Sequence, residues 1–69
     1  MGTTVRFTSG EERQYDADEA VVQDYDRLFV LHKWNRRKRK LESGRTFPAD
    51  QVVWACLPDG RIVVGKGRV

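Results

Sequence analysis

The hydrophobic positions of this chain fall in short alternating runs, not at helical spacing. Thr3-Thr4-Val5-Arg6-Phe7-Thr8 alternates polar and apolar residues and is rich in β-branched side chains, which predicts a strand with Val5 and Phe7 inward. Ser9-Gly10-Glu11-Glu12 reads as a turn, and Arg13-Gln14-Tyr15 as a short returning strand. Asp16-Ala17-Asp18-Glu19 offers a helix N-cap at Asp16 or Asp18. The two adjacent valines of Ala20-Val21-Val22-Gln23, followed by the turn residues Asp24-Tyr25-Asp26, favour a strand there instead.

Arg27 to Trp34 is the strongest strand signal. Leu28, Val30, His32 and Trp34 lie on one face and Phe29, Leu31 and Lys33 on the other, so the strand is apolar on both faces at its start and polar where it leaves the core. Leu41-Glu42-Ser43-Gly44 contains a breaker, Arg45-Thr46-Phe47 is a short extended piece held so by Pro48, and Pro48-Ala49-Asp50-Gln51 reads as one turn of 3₁₀ helix. Val52 to Leu57 predicts a strand that turns at Pro58-Asp59-Gly60 and pairs back through Arg61-Ile62-Val63-Val64. Residues 65–69 read as a frayed polar tail. The expected fold is mostly β: a small strongly bent sheet or partly open barrel, SH3-like or OB-like, of five or six short strands with at most one helical turn.

A length of 69 residues allows one domain, 1–69, with a thin core. The single cysteine, Cys56, excludes an internal disulfide and a cysteine-rich zinc site, and its apolar surroundings predict a small buried core residue. Met1-Gly2 begins a myristoylation pattern that Arg6 breaks. With no signal-peptide pattern and no apolar run of membrane-spanning length, the expected setting is cytoplasmic, with no membrane contact.

Charge changes this picture most. Residues 1–27 carry a net −4 and residues 28–69 a net +7, so the chain is a charge dipole along its length. The positive half is concentrated in Lys33, Arg36, Arg37, Lys38, Arg39 and Lys40, with Trp34 and Asn35 among them and no acid. Like charges this dense repel one another unless an anion lies close. A loop of such residues at the tip of a hairpin would neutralise phosphates without reading sequence. Trp34 would either stack on an unpaired base or anchor the loop in the core, and Arg45 and Arg61 are candidate flanking contacts. The run Arg36-Arg37-Lys38-Arg39-Lys40 also has the form of a nuclear import signal.

Other chemistry is sparse. The acids Asp16, Asp18, Glu19, Asp24 and Asp26 lack the glycine and terminal glutamate of a calcium loop and read as turn, cap or charge-pairing residues. His32, the only histidine, reads as a packing residue, and Cys56 as a partner for it would require pairing across a sheet. Gly65-Lys66-Gly67 is too short for a phosphate loop. These features predict no enzyme, no cofactor and no metal. Val5-Arg6-Phe7-Thr8-Ser9-Gly10, then Tyr15-Asp16-Ala17-Asp18-Glu19, then Thr46-Phe47-Pro48 ahead of Val52-Val53 together resemble small orphan β-rich proteins of actinobacteria and their phages. The resemblance implies a protein that binds a host macromolecule and transfers no catalytic residue. The expectation is a monomer or weak dimer that binds DNA or RNA through Lys33, Trp34, Arg36, Arg37, Lys38, Arg39, Lys40 and Arg45. The alternative is a protein-interaction module, a phage or host regulator that binds an acidic host protein through a strand edge or aromatic patch.

Overall fold

The alternating runs fold as strands. A computed structural model describes residues 2–68. In chain order the strands are β1 (Thr3–Phe7), β2 (Glu12–Tyr15), β3 (Glu19–Gln23), β4 (Leu28–Asn35), β5 (Lys40–Pro48), β6 (Val52–Cys56) and β7 (Ile62–Val64). One 3₁₀ turn, Ala49–Gln51, falls where Pro48 places it. The strands form two antiparallel sheets, β2-β1-β6-β7 and β3-β4-β5. Among the described residues the fold is therefore mostly β, with seven strands in place of the expected five or six and no closed barrel.

Val5, Phe29, Leu31, Val52 and Ala55 are buried between the sheets. Where β2 lies over β5, Phe47 packs against Phe7 and Tyr15 with ring centroids 5.3 Å apart in both cases. On the opposite side, Arg61 beside β7 donates to the Glu19 carboxylate of β3 at 2.9 Å. Thr3, the one fully buried polar side chain among the described residues, donates its hydroxyl to the Ala17 carbonyl at 2.9 Å. That bond and the burial of Ala17 hold residues 16–18 extended. Only three residues separate β2 from β3, too few for the helix that Asp16 or Asp18 would have capped.

Three further expectations change. Gly44 does not break the chain: β5 runs through it as one nine-residue strand. Val30 pairs with Thr46 and His32 with Ser43, so β5 spends one more residue than β4 across this step and bulges at Gly44-Arg45. A Cβ on Gly44 would lie 3.3 Å from the Leu31 carbonyl oxygen, which makes glycine the fitting residue there. The tail is tied down through Gly67, because the N–H groups of Gly65, Lys66 and Gly67 bond the carbonyls of Val53, Ala49 and Val52 at 3.0, 2.9 and 2.8 Å. Of the tail residues expected to fray, Val69 lies outside the described residues. Cys56 is half-buried, not a core residue: Ala55 takes the inward position and the alternation turns Cys56 to the outer face.

Candidate nucleic-acid interface

Strand β4 is longer than its neighbour β3. β3 pairs with it from Leu28 to His32, while β5 continues to Asn35. Lys33–Asn35 and Lys40–Glu42 therefore leave the body as a two-stranded arm. Asp18, the residue just before β3, stops this pairing. Its N–H donates to the His32 carbonyl at 2.9 Å, and its carboxylate then accepts the Trp34 N–H at 2.8 Å. The side chain takes the place of the next backbone carbonyl, so the ladder stops without an orphaned donor.

Asn35 turns the chain at the arm's end. Its side-chain oxygen accepts the N–H of Arg37 at 3.0 Å and of Lys38 at 3.2 Å, the local bond that makes asparagine a turn initiator. Arg39, with φ 51°, closes the tip of residues 36–39 onto Lys40, which pairs with Asn35.

The six cations divide into two groups. Lys33 is neutralised by Asp16, an amino-terminal carboxylate from the β2–β3 connection. The hydrogen bond to Lys33 holds the Asp16 carboxyl below its ordinary range and raises the lysine, with their Coulomb attraction acting the same way. Lys38 lies 3.5 Å from Glu42, a looser contact. Arg36, Arg37, Arg39 and Lys40 have no carboxylate partner among the described residues. At the arm's base Trp34 and Leu41 face each other across the ladder, each 45 % exposed, so Trp34 is not a core anchor. A shallow groove of about 300 Å³ runs between Trp34, Asn35, Arg36, Arg37, Lys33 and Glu42.

The flanking candidates stand elsewhere. Arg45 projects from the bulge with its guanidinium 5.4 Å from the centre of the Tyr15 ring, a cation–π contact. It shares a cleft of about 410 Å³ with Tyr15, Asp16 and Lys33 and so adjoins the arm without belonging to the tip. Arg61 donates to Asp59 at 2.6 Å and to Glu19 at 2.9 Å, and its charge is already met. The charge dipole of the sequence survives only in part. Asp16 and Asp18 stand at the arm's base, whereas Asp24 and Asp26 stand at the far end of β4.

His32 and Cys56 do not face one another. Phe29 and Leu31 point into the core from β4 and Ala55 from β6, so His32 and Cys56 occupy opposite outer faces of the sandwich. Among the described residues no group of three or more His, Cys, Asp and Glu is placed to hold a metal ion, and no helix is long and apolar enough to cross a membrane. Sequence reasoning missed the specific roles of Asp18 and Asn35. Asn35 carried a readable signal, an asparagine placed just before a chain reversal, whereas the role of Asp18 depends on strand register. No family model, curated protein or solved structure matches the chain.

Proposed function

We propose that the protein is a nucleic-acid-binding module whose β4–β5 arm contacts the phosphates of DNA or RNA. One observation carries this reading: Arg36, Arg37, Arg39 and Lys40 stand together at the end of a projecting ribbon with no carboxylate among the described residues to neutralise them. A polyanion would relieve their mutual repulsion and release its own counterions. Trp34, half-exposed beside Leu41 at the base, supplies a face on which an unpaired base stacks. The Lys33 and Arg45 contacts are secondary, since Asp16 and Tyr15 already engage them. The molecule acts as a binder and not a catalyst in this reading, and cytoplasmic residence belongs to the same proposal.

Titration of fluorescent single- and double-stranded oligonucleotides at several salt concentrations tests it. The affinity falls steeply with salt and depends little on sequence. In R36A/R37A/R39A the slope of log K against log salt flattens by about 3, one for each lost phosphate contact, while Tm stays near the parent value. Binding that survives this triple change places the interface elsewhere.

The second reading, a protein-interaction module such as a phage or host regulator, draws support from the exposed Ile62 and Val64 of the edge strand β7. A stoichiometric protein retained from nuclease-treated lysate would favour it.

A further inference from the structure

Strand β7 is the outermost strand of the four-stranded sheet, with β6 on one side only. Its phase is fixed by two flanking bonds, from the Leu57 N–H to the Arg61 carbonyl at 2.8 Å and from the Gly65 N–H to the Val53 carbonyl at 3.0 Å. With Val63 opposite Ala55, the Arg61 carbonyl, the backbone groups of Val63 and the Gly65 N–H face β6. Antiparallel alternation then turns the N–H and C=O of both Ile62 and Val64 away from the sheet. Among the described residues none of these four groups joins a turn, loop or cap bond.

The side chains on this edge are apolar. Val64 lies opposite Trp54 and Ile62 opposite Cys56, so the four make one stripe on the sheet's outer face. Ile62 is 63 % and Val64 68 % exposed. The stripe ends one strand further in, at the Arg6–Glu12 ion pair. Other edges carry features that discourage further pairing. β2 carries Glu12 and Arg13, β5 bulges at Gly44-Arg45 and ends in Pro48, and β3 follows Asp18 and opens on Glu19. β7 has none of these, and the charge beside it, Arg61, is held by Asp59 and Glu19.

We propose that a second copy of this chain adds to the edge, β7 against β7 in antiparallel register about a two-fold axis at Val63. The strand is its own complement in this arrangement. Ile62 stands opposite Val64 of the second copy and Val64 opposite its Ile62. Each pair exchanges two N–H···O bonds, so all four outward groups are satisfied. Arg61 meets Gly65 of the second copy, which opposes no like charge to it. The two apolar stripes become continuous, and the contact closes on itself without propagating. Three paired residues from each copy bury less than the roughly 1,200 Å² of stable complexes, so the dimer fills only at high protein concentration. The inference concerns a different surface from the basic arm and stands or falls separately from it.

The test is sedimentation velocity of nuclease-treated protein from micromolar to millimolar concentration, in low and high salt. The wild type moves towards dimer with concentration in both salts, and I62K/V64K stays monomeric while binding oligonucleotide as the wild type does. Amide exchange of the wild type gives a second readout that needs no variant: the N–H groups of Ile62 and Val64 exchange quickly in dilute protein and slow as concentration rises. Wild type that remains monomeric throughout overturns the proposal. So does a dimer that dissolves in high salt, which would assign the contact to Asp24 and Asp26 of one copy on the arm of another. A dimer formed without protection of these two amides overturns it as well.

Discussion

Strand β4 ends in a four-residue hairpin tip on each side, residues 24–27 towards β3 and residues 36–39 towards β5. The first tip is acidic and tied back to the body. Asp26 lies 3.4 Å from Lys66, the Arg27 carbonyl accepts the Ala49 N–H at 2.7 Å, and Asp24, Tyr25 and Asp26 all hold left-handed backbones with φ of 57°, 57° and 65°. The second tip is basic, stands beyond the third strand, and needs a left-handed backbone only at Arg39. Both loops have the same length. Their difference follows from what surrounds them: the acidic tip meets the tail and the 3₁₀ turn, while the basic tip leaves the sheet where Asp18 stops the pairing of β3 with β4. Availability to a ligand thus depends on where the ladder narrows as well as on which residues are charged.

The comparison breaks most readily if net charge, not position, governs binding. D24N/D26N raises the formal net charge of +3 by two at the tied tip. Oligonucleotide affinity should change by less than about threefold, against a loss on the order of a hundredfold for R36A/R37A/R39A at low salt. An increase from D24N/D26N comparable to that loss would mean that the whole molecular field, and not the arm, holds the ligand.

Next in size is the anchoring of the acidic end. A Cβ on Gly65 would come within 2.1 Å of the Val52 carbonyl oxygen, and backbone at that distance cannot swing aside. Gly65→Ala should cost roughly 3 kcal/mol by displacing the tail beneath residues 24–27. For a domain of this size that lowers Tm by on the order of 10–20 °C, read by circular dichroism. Affinity of the folded fraction for oligonucleotide should be unchanged, because the arm takes no support from the tail. A small drop in Tm would show that the tail is loosely held.

The two regions were not equally legible in the sequence. Alternation predicted the strands and the inward side of β1, because burial enforces a period of two, but it left both faces of β4 open and put Cys56 in the core position that Ala55 takes. Hairpins joined by Asp24-Tyr25-Asp26 and Pro58-Asp59-Gly60 followed from turn chemistry. The bulge at Gly44 did not, since a glycine inside a polar run marks a break as readily as an extra residue. The split into two sheets also lay outside local pattern, because strand order depends on long-range pairing. For the candidate site, the sequence marked the cations but could not say that Lys33 meets Asp16 and Arg61 meets Glu19, contacts separated by 17 and 42 residues. The anchoring of residues 65–67 was not legible because their glycines suit both a loose end and a close crossing of Val52.

The strain of the acidic tip gives a smaller effect. Tyr25 is 95 % exposed, so its side chain contributes little packing to set against a left-handed backbone. Glycine removes about 1 kcal/mol of that conformational cost and returns part of it through the freer unfolded chain. Tyr25→Gly should therefore raise stability by about 0.5 kcal/mol, read from the urea midpoint. A loss of similar size would mean that the tyrosine ring makes a stabilising contact.

The finest distinction lies at the arm's base, where one cation of the basic run is already occupied. Asp16→Asn removes the partner of Lys33 and should steepen the salt slope by about 1, with a gain in affinity of a few fold. Acid should reproduce this effect in the wild type. The Asp16 carboxyl sits below its ordinary range, so the pair's contribution to stability is present above that range and is lost as pH falls through the lowered value. Lys33 is raised, so its share is present below the ordinary lysine value and is lost only as pH rises through the raised one. The bridge is therefore intact at neutral pH and opens in acid. Both side chains are more than half exposed, which makes the effect on folding slight and leaves ligand affinity as the sensitive readout. With oligothymidylate, whose bases do not protonate in this range, wild-type affinity should rise towards that of D16N as the pH drops, while D16N stays flatter. If the two proteins keep parallel profiles, Lys33 does not reach the phosphates even when released, and the interface is confined to the tip.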